Sequence, residues 1–364
     1  VTKSRAKFNR GDGMRFVHTT LPQRVRFASG GAAAGVREEA ERLDARRVMV
    51  IAADAERALA DEVAADLSVA LLYDEVLMHV PVEVAERARA AAVANRADAI
   101  LSVGGGSTTG LAKAVALTTG LPIIAVPTTY AGSEATDVWG LTENAVKTTG
   151  RDPRVLPAAI VYDPSLMLTL PGELSVASGL NALAHCVDSL WAPHADPINA
   201  ALATEGVRAL NIGLPEVARD PSGLTGREYA LYGAYLAAVA FASAGSGLHH
   251  KICHVLGGKY NLPHAQTHAV VLPYVLAFNA PNAPEADRRL ASAFGADTAL
   301  AGLQALRARL DAPTALRDYG LAEEDLPDAA EAVRRSVPEG NPTDAAGDNL
   351  AALIRAAWEG SEPA

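Results

Sequence analysis

The segment from Ala97 to Gly120, ADAILSVGGGSTTGLAKAVALTTG, constrains this chain more than any other. It passes from an unbroken apolar run into three consecutive glycines, then into apolar residues at helical spacing. A short apolar run bounded by glycine reads as a buried strand, and the period after it reads as a helix that stops at Gly120. The neighbouring segments repeat the theme. RRVMVIAA, SVALLYDEV and LPIIAVPTT read as strands, while AERALADEVAADL and PVEVAERARAAAVANR, with Pro81 near its start, read as helices. Strand and helix alternating in this way imply a parallel sheet with helices on its faces.

The alternation stops after PAAIVYDPSLMLTLP. From about Glu173 onward the segments ELSVASGLNALAHCVDSLWA, NAALATEGVRALNIGLPEVARD and GREYALYGAYLAAVAFASA all carry apolar residues at helical spacing, with almost no strand signal. The expected organisation is an α/β, Rossmann-like domain over residues 14–163 and an all-helical domain over 164–364. A length of 364 residues suits two domains. The opening VTKSRAKFNRGDG, residues 1–13, is polar and basic, and it is expected to be a leader or an appended remnant.

Charge and composition exclude several function classes. A formal net charge of -10 argues against a nucleic-acid binder, which needs a basic face. No apolar run approaches the roughly 20 residues that span a membrane. Two cysteines, Cys186 and Cys253, give no disulfide framework, so a reducing cytoplasm is the expected location. Both cysteines read as small buried apolar residues rather than nucleophiles.

Gly104, Gly105 and Gly106 allow the backbone to approach a ligand. Ser107 is expected to cap the following helix, whose first amides suit an anion such as a dinucleotide pyrophosphate. The fingerprint G-x-G-x-x-G is incomplete, because Thr109 stands where the third glycine belongs, and Lys113 lies too far along for a phosphate loop of the G-K-[ST] kind. Taken alone, the segment fits a ligand-free tight turn equally well. The loop VPTTYAGSEATD shifts the balance toward a cofactor. It brings Thr128, Thr129, Gly132 and Ser133 to the carboxyl end of the next strand, the edge where parallel sheets bind ligands. Thr108 and Asp54 complete the candidate cofactor set. Asp54 follows VIAA, where an acid favours NAD by meeting the ribose hydroxyl. NADH is the expected cofactor, with NADPH allowed.

Five of the nine histidines fall within HHKICHVLGGKYNLPHAQTH. His250 and His254 stand four apart, as do Asn181 and His185, and that spacing shares one helical face. Gly257 and Gly258 are expected to break the helix, and His264 follows Pro263 in the next turn. His185, His250 and His264 are expected to converge, with Asn181 as a fourth member. Three imidazoles and an oxygen donor suit a divalent transition metal, but a neutral amide binds one much less well than a carboxylate. A metal site, a former metal site and ordinary helix surface all remain open on spacing alone.

Taken together, GGGSTTGLAK, PTTYAGSEAT, DPSLMLTLPGELSVASGLNALAH and HHKICHVLGGKYNLPHA resemble the iron-containing alcohol dehydrogenase superfamily, and within it the maleylacetate reductase branch. The resemblance runs from about Met14 to the C-terminus. It implies the dehydroquinate synthase-like fold, a homodimer, and a substrate held between the domains. Metal-dependent members of that superfamily use an Asp, a His four residues on, and two further His fourteen apart. Here those positions are Asn181, His185, His250 and His264, so the Asp is the one that differs. Gly110 and Tyr130 also depart from the general pattern and match the reductase branch.

That branch reduces maleylacetate to 3-oxoadipate in bacterial breakdown of aromatic rings. Hydride adds to the alkene carbon β to the ketone, and the charge develops as an enolate. An enolate spreads its charge, so hydrogen-bond donors can stand in for a metal. The resemblance therefore implies a former metal site, with no metal required. His254 is the expected proton donor, and His185, His250 and His264 line the substrate pocket. Lys251 and Tyr130 are candidates to meet a substrate carboxylate or the enolate. For Lys251 a plain solvated helix position is an equal reading.

Three other readings compete. A metal-dependent alcohol or polyol dehydrogenase of the same superfamily would want Asp at position 181. A dehydroquinate synthase-type lyase would need a metal and a sugar-phosphate site. A cofactor-free binding protein on the same scaffold would be expected to have lost the glycine turn or the histidines, and both are intact.

Overall fold

The computed structural model describes residues 15–143, 146–345 and 348–363. The expected leader, residues 1–13, lies outside them. Two compact units emerge among the described residues, one within 21–171 with 222–231, the other within 15–20, 172–221 and 232–363.

In the first unit, among the described residues, eight strands and four complete α-helices follow the chain. They are β1 (Arg24–Phe27), α1 (Ala32–Arg42), β2 (Val48–Ile51), α2 (Arg57–Val63), β3 (Val69–Tyr73), α3 (Val82–Ala94), β4 (Ala99–Gly104), α4 (Gly106–Thr119), β5 (Ile123–Pro127), β6 (Val138–Glu143), β7 (Val146–Arg151) and β8 (Ala159–Tyr162). Six strands form one parallel sheet in the order β1-β8-β5-β4-β2-β3. After β3 the chain crosses back over β2 to β4, so the direction of winding switches between β2 and β4. In open parallel sheets, ligands bind at the carboxyl ends of the strands beside such a switch.

The apolar runs explain why the sheet is buried on both sides. Val48, Val50, Leu101, Val103, Ile124 and Val126 pack on one face with Val36 and Ala40 of α1. The alternate residues Met49, Ile51, Ile100 and Ile123 pack on the other face with α3 and α4. Period-two alternation thus fills both layers, as a two-sided parallel sheet requires. β6 and β7 stand outside this sheet as an antiparallel hairpin.

The second unit contains α5 (Gly172–Ser189), α6 (Pro197–Arg219), the later part of α7 (Leu224–Ala244), α8 (Leu248–Tyr260), α9 (His264–Asn279), α10 (Pro284–Phe294), α11 (Ala299–Arg309), α12 (Leu326–Arg334) and α13 (Asp348–Glu359). Among the described residues, no strand occurs after β8 and no single helix is long and apolar enough to cross a membrane. The architecture is therefore the expected one, a parallel α/β unit followed by helices.

Two local expectations are corrected. α8 continues through Gly257 and Gly258 and ends at Asn261, which adopts the left-handed conformation with φ 54°. Glycine weakens a helix interior without stopping it, and the turn into Leu262 and Pro263 does the stopping. Ser107 is not a cap. α4 starts two residues earlier, with Gly105 at the N-cap and no side chain bonded to the first amides.

α9 is almost wholly buried and carries Pro273 in its interior. Proline has no N–H, so the carbonyl of Ala269, four residues back, loses its helical donor. Arg307 of α11 supplies one. Its Nη1 donates to Ala269 O, and its Nη2 donates to Pro313 O at 2.6 Å.

Candidate functional site

In the first unit, the two candidate cofactor loops sit side by side. Gly104 pairs with Pro127 in the sheet, and Thr128 N donates to Gly104 O at 3.1 Å. Gly104 has φ 151°, which side-chain-bearing residues rarely adopt, and a Cβ there would lie 2.4 Å from Thr108 Oγ1. The glycine turn is thus required by its own geometry. With no side-chain cap on α4, the first-turn amides of Gly106, Ser107 and Thr108 remain suited to an anion. Asp54 lies exposed in a short 3-10 turn just beyond β2, on the other side of the winding switch.

The second loop is held from behind by Lys113, which is fully buried. Its Nζ donates to Ser133 O (2.6 Å), Thr136 O (2.9 Å), Thr136 Oγ1 (3.0 Å) and Val138 O (2.8 Å). Burial pushes this ammonium down to about 7. Buried Glu134, whose carboxyl is raised by burial, accepts from Tyr162 Oη at 2.7 Å. Thr128 is buried, whereas Thr129 and Ser133 are partly exposed. Tyr130 is fully buried, and its hydroxyl receives Arg227 Nη1 at 3.3 Å. Arg227 is itself fully buried and also donates to Leu170 O.

In the second unit, six histidines from three helices form one contiguous set. His185 of α5 stacks on His250 of α8, with ring centroids 4.8 Å apart and planes 13° off parallel, and Phe241 of α7 packs on both. His250 meets His268 at 4.8 Å and His254 at 5.9 Å, and His264 meets His268 at 4.4 Å and His254 at 6.4 Å. Asn181 lies on α5 one turn before His185 and is buried. Asn181 Oδ1, His185 Nδ1 and His250 Nε2 are buried without a hydrogen-bond partner among the described residues.

Burial separates these rings into two kinds. His185, His249, His250 and His268 are buried. Burial, reinforced by neighbouring imidazoles, holds His185 down to about 3 and the other three well below the usual histidine range. All four are therefore neutral near pH 7. His254 and His264 are exposed. Lys251 is partly exposed on the first turn of α8.

Three participants escaped the sequence reading. His249 and His268 share a buried hydrogen bond, with Nε2 and Nδ1 2.9 Å apart, and Cys253 Sγ lies 3.6 Å from the same His249 Nε2. This trio is the one group among the described His, Cys, Asp and Glu residues whose donor atoms gather as metal ligands would. A nitrogen pair at 2.9 Å is already joined by a proton, and an ion would have to part it. The third participant is Asp188, one turn beyond His185, whose Oδ2 lies 2.7 Å from His250 Nδ1. Cys186 and Cys253 are buried and burial pushes both thiols up, which makes them inert packing.

The former-ligand positions do not fit a divalent ion well. His185, His250 and His264 do not gather their nitrogens as the trio does, and the oxygen donor is a neutral amide. A neutral amide offsets the desolvation of a doubly charged ion much less well than the carboxylate it replaces.

Comparison with known proteins gives a consistent result. The sequence model for iron-containing alcohol dehydrogenase matches residues 22–164, and that for the Fe-containing alcohol dehydrogenase family, C-terminal, matches residues 175–358. A maleylacetate reductase of Pseudomonas knackmussii is 45% identical over 353 residues, covering 96% of this chain and 99% of that protein. The crystal structure of an iron-containing alcohol dehydrogenase from Corynebacterium glutamicum superposes with a TM-score of 0.95 at 60% identity, covering 97% of this chain and 99% of that one. That of a maleylacetate reductase from Rhizobium sp. strain MTP-10005 gives 0.90 at 44% identity, covering 96% and 99%.

Proposed function

The chain belongs to the iron-containing alcohol dehydrogenase family, and from that premise we propose that it is a maleylacetate reductase, converting maleylacetate to 3-oxoadipate with NADH. The near full-length identity to maleylacetate reductases supports the reaction. The observation that carries the mechanism is the set of four buried neutral histidines beside Asn181, where a metal-binding relative has a carboxylate.

The balance is simple. NADH gives a hydride to the alkene carbon β to the ketone, forming a C–H bond as the C=C opens to an enolate. A proton then adds to the carbon next to the ketone, and NAD⁺ leaves. A neutral imidazole whose N–H faces the enolate oxygen, such as that of His185, can donate to it without carrying charge itself, in the manner of an oxyanion hole. The buried rings cannot supply the proton as imidazolium ions, because burial keeps them neutral. The exposed rings can exchange with solvent, so His254 is assigned as the proton donor, with His264 beside it. Asn181, a neutral amide, adds no negative charge of its own to repel a dicarboxylate and an enolate.

The cofactor is assigned to Gly104–Gly106, Ser107 and Thr108 at the start of α4, with Thr128, Thr129 and Ser133 alongside. Asp54 would accept from the ribose hydroxyls and disfavour a 2′-phosphate, which favours NADH over NADPH. Lys251 and Tyr130 remain candidates for the substrate carboxylates. The working form is assigned as a cytoplasmic homodimer. The test is NADH oxidation with maleylacetate by the purified protein after chelation. Absence of turnover with maleylacetate, alongside turnover of simple alcohols with added metal, would favour the metal-dependent dehydrogenase instead.

A further inference from the structure

Asp188 is buried, yet among the described residues it meets no lysine or arginine. Its Oδ2 lies 2.7 Å from His250 Nδ1 and 3.1 Å from each of the backbone nitrogens of Gly247 and His250, while Oδ1 accepts from Trp191 Nε1 at 3.2 Å. One carboxylate on α5 thus caps the first turn of α8 and grips the ring that the turn carries. Gly247 makes room for it. Its backbone is ordinary, with φ -89°, but a Cβ would fall 2.5 Å from Asp188 Oδ1. The glycine is required by the carboxylate and not by the turn.

We propose that Asp188 is a positioning residue for the histidine cluster. It fixes His250 as the Nδ1–H tautomer, leaving Nε2 as a hydrogen-bond acceptor, and it sets the start of the helix that presents Lys251 and His254. The logic is one of donors and acceptors. A carboxylate accepting two backbone N–H groups can meet Nδ1 only as another donor, so the proton of a neutral ring sits on Nδ1. Nε2 is then a buried lone pair, in keeping with its lack of a partner. An acceptor repels carboxylate and enolate oxygens. His250 is therefore not a donor to the developing charge, and that task falls to His185, His254 and His264. This gives His250 the opposite hydrogen-bonding role to the rings assigned as donors to the substrate. The kinetic part rests on the proposed reduction, whereas the tautomer does not.

The test uses the full chain labelled with ¹⁵N-histidine, whose ring nitrogen shifts distinguish the two neutral tautomers. His250→Gln identifies the resonance by its loss. The expected wild-type signal is a neutral ring protonated at Nδ1, the minor form in solution. Asp188→Ala and Gly247→Ala should both convert it to the Nε2–H form or to a mixture. Both should lower kcat with maleylacetate by about 10- to 100-fold, the usual scale for a residue supporting a site from behind. Neither should change the affinity for NADH. Gly247→Ala retains the carboxylate, so it answers the question even where Asp188→Ala fails to fold. A wild-type His250 protonated at Nε2, or variants that shift the tautomer and leave kcat unchanged, would overturn the proposal. A shifted tautomer in a protein that never turns over maleylacetate would uphold the Asp188–His250 assignment and count against the reduction instead.

Discussion

Gly104→Ala should damage both stability and cofactor binding, and the structure gives the size. Two costs add. The residue sits at φ 151°, and forcing a side-chain-bearing residue there costs about 1–3 kcal/mol. The new Cβ would lie 2.4 Å from Thr108 Oγ1 and 2.9 Å from Thr108 Cβ, and Thr108 is buried with little room to rotate. Overpacking of this kind costs about another 1–3 kcal/mol. The sum is about 2–6 kcal/mol, or a fall in Tm of roughly 5–20 °C for a domain of this size. Any relief comes from moving the turn, which displaces the α4 amides, so the Kd for NADH should rise by at least about 10-fold. Thermal melting and NADH fluorescence titration read the two effects. Thr108→Ala in the same chain removes Oγ1 but not the backbone strain, so it should recover part of the stability and leave the rest lost. Wild-type Tm and NADH affinity in Gly104→Ala would refute the assignment of this turn as the cofactor cradle.

Further outcomes follow from the same geometry. His254→Ala should lower kcat by about 10²–10⁴-fold and leave NADH binding intact, and near-normal turnover would remove it as the donor. Acid should destabilise the helical unit from the histidine side. His185 is held down to about 3, so the unfolded chain binds its proton first, and stability present above 6.5 is lost as pH falls toward 3. At pH 5 this ring alone costs about 2 kcal/mol, and His249, His250 and His268 act in the same direction. Asp188, raised to about 6 by burial, works the other way, losing stability as pH rises from about 4 to 6, but one carboxyl does not offset four rings. Melting curves that coincide at pH 7 and pH 5 would contradict this. Arg307→Met should leave the Ala269 and Pro313 carbonyls without donors and cost about 2–4 kcal/mol by thermal melting, and an unchanged Tm would show that Pro273 needs no such repair.

Much of this was legible before the fold was known, for identifiable reasons. β2, β4 and β5 are rich in Val, Ile, Leu and Ala and buried on both faces, and that composition announces a parallel sheet. The adjacency of the two candidate cofactor loops follows from strand order, and Gly104↔Pro127 is its direct expression. The hairpin of β6 and β7 gave no such signal. VWGLTE and VKTTGR mix glycine and threonine with charged residues, and β6 is only half-buried. The histidines were visible as a density, but helical spacing groups only residues of one helix, and their roles came from the family resemblance. Spacing cannot pair His249 with His268, nineteen residues apart on another helix, because only the packing of α8 on α9 joins them. Asp188 was hidden for a similar reason. Near His185 it reads as a surface acid at the end of an apolar helix, and its partners begin at Gly247. A buried Arg227 is likewise invisible in sequence, where a lone arginine on a helix reads as solvated.

The measurement that bears most directly on the account is turnover of freshly made maleylacetate by the chelator-treated protein, followed through NADH absorbance, with metal content determined on the same sample. Full activity in metal-free protein is the expected result, because the donors around Asn181 are neutral and sufficient for an enolate. Activity that disappears with the metal and returns only with iron or zinc would contradict it, and would mean that Asn181, His185, His250 and His264 still work as a Lewis-acid site.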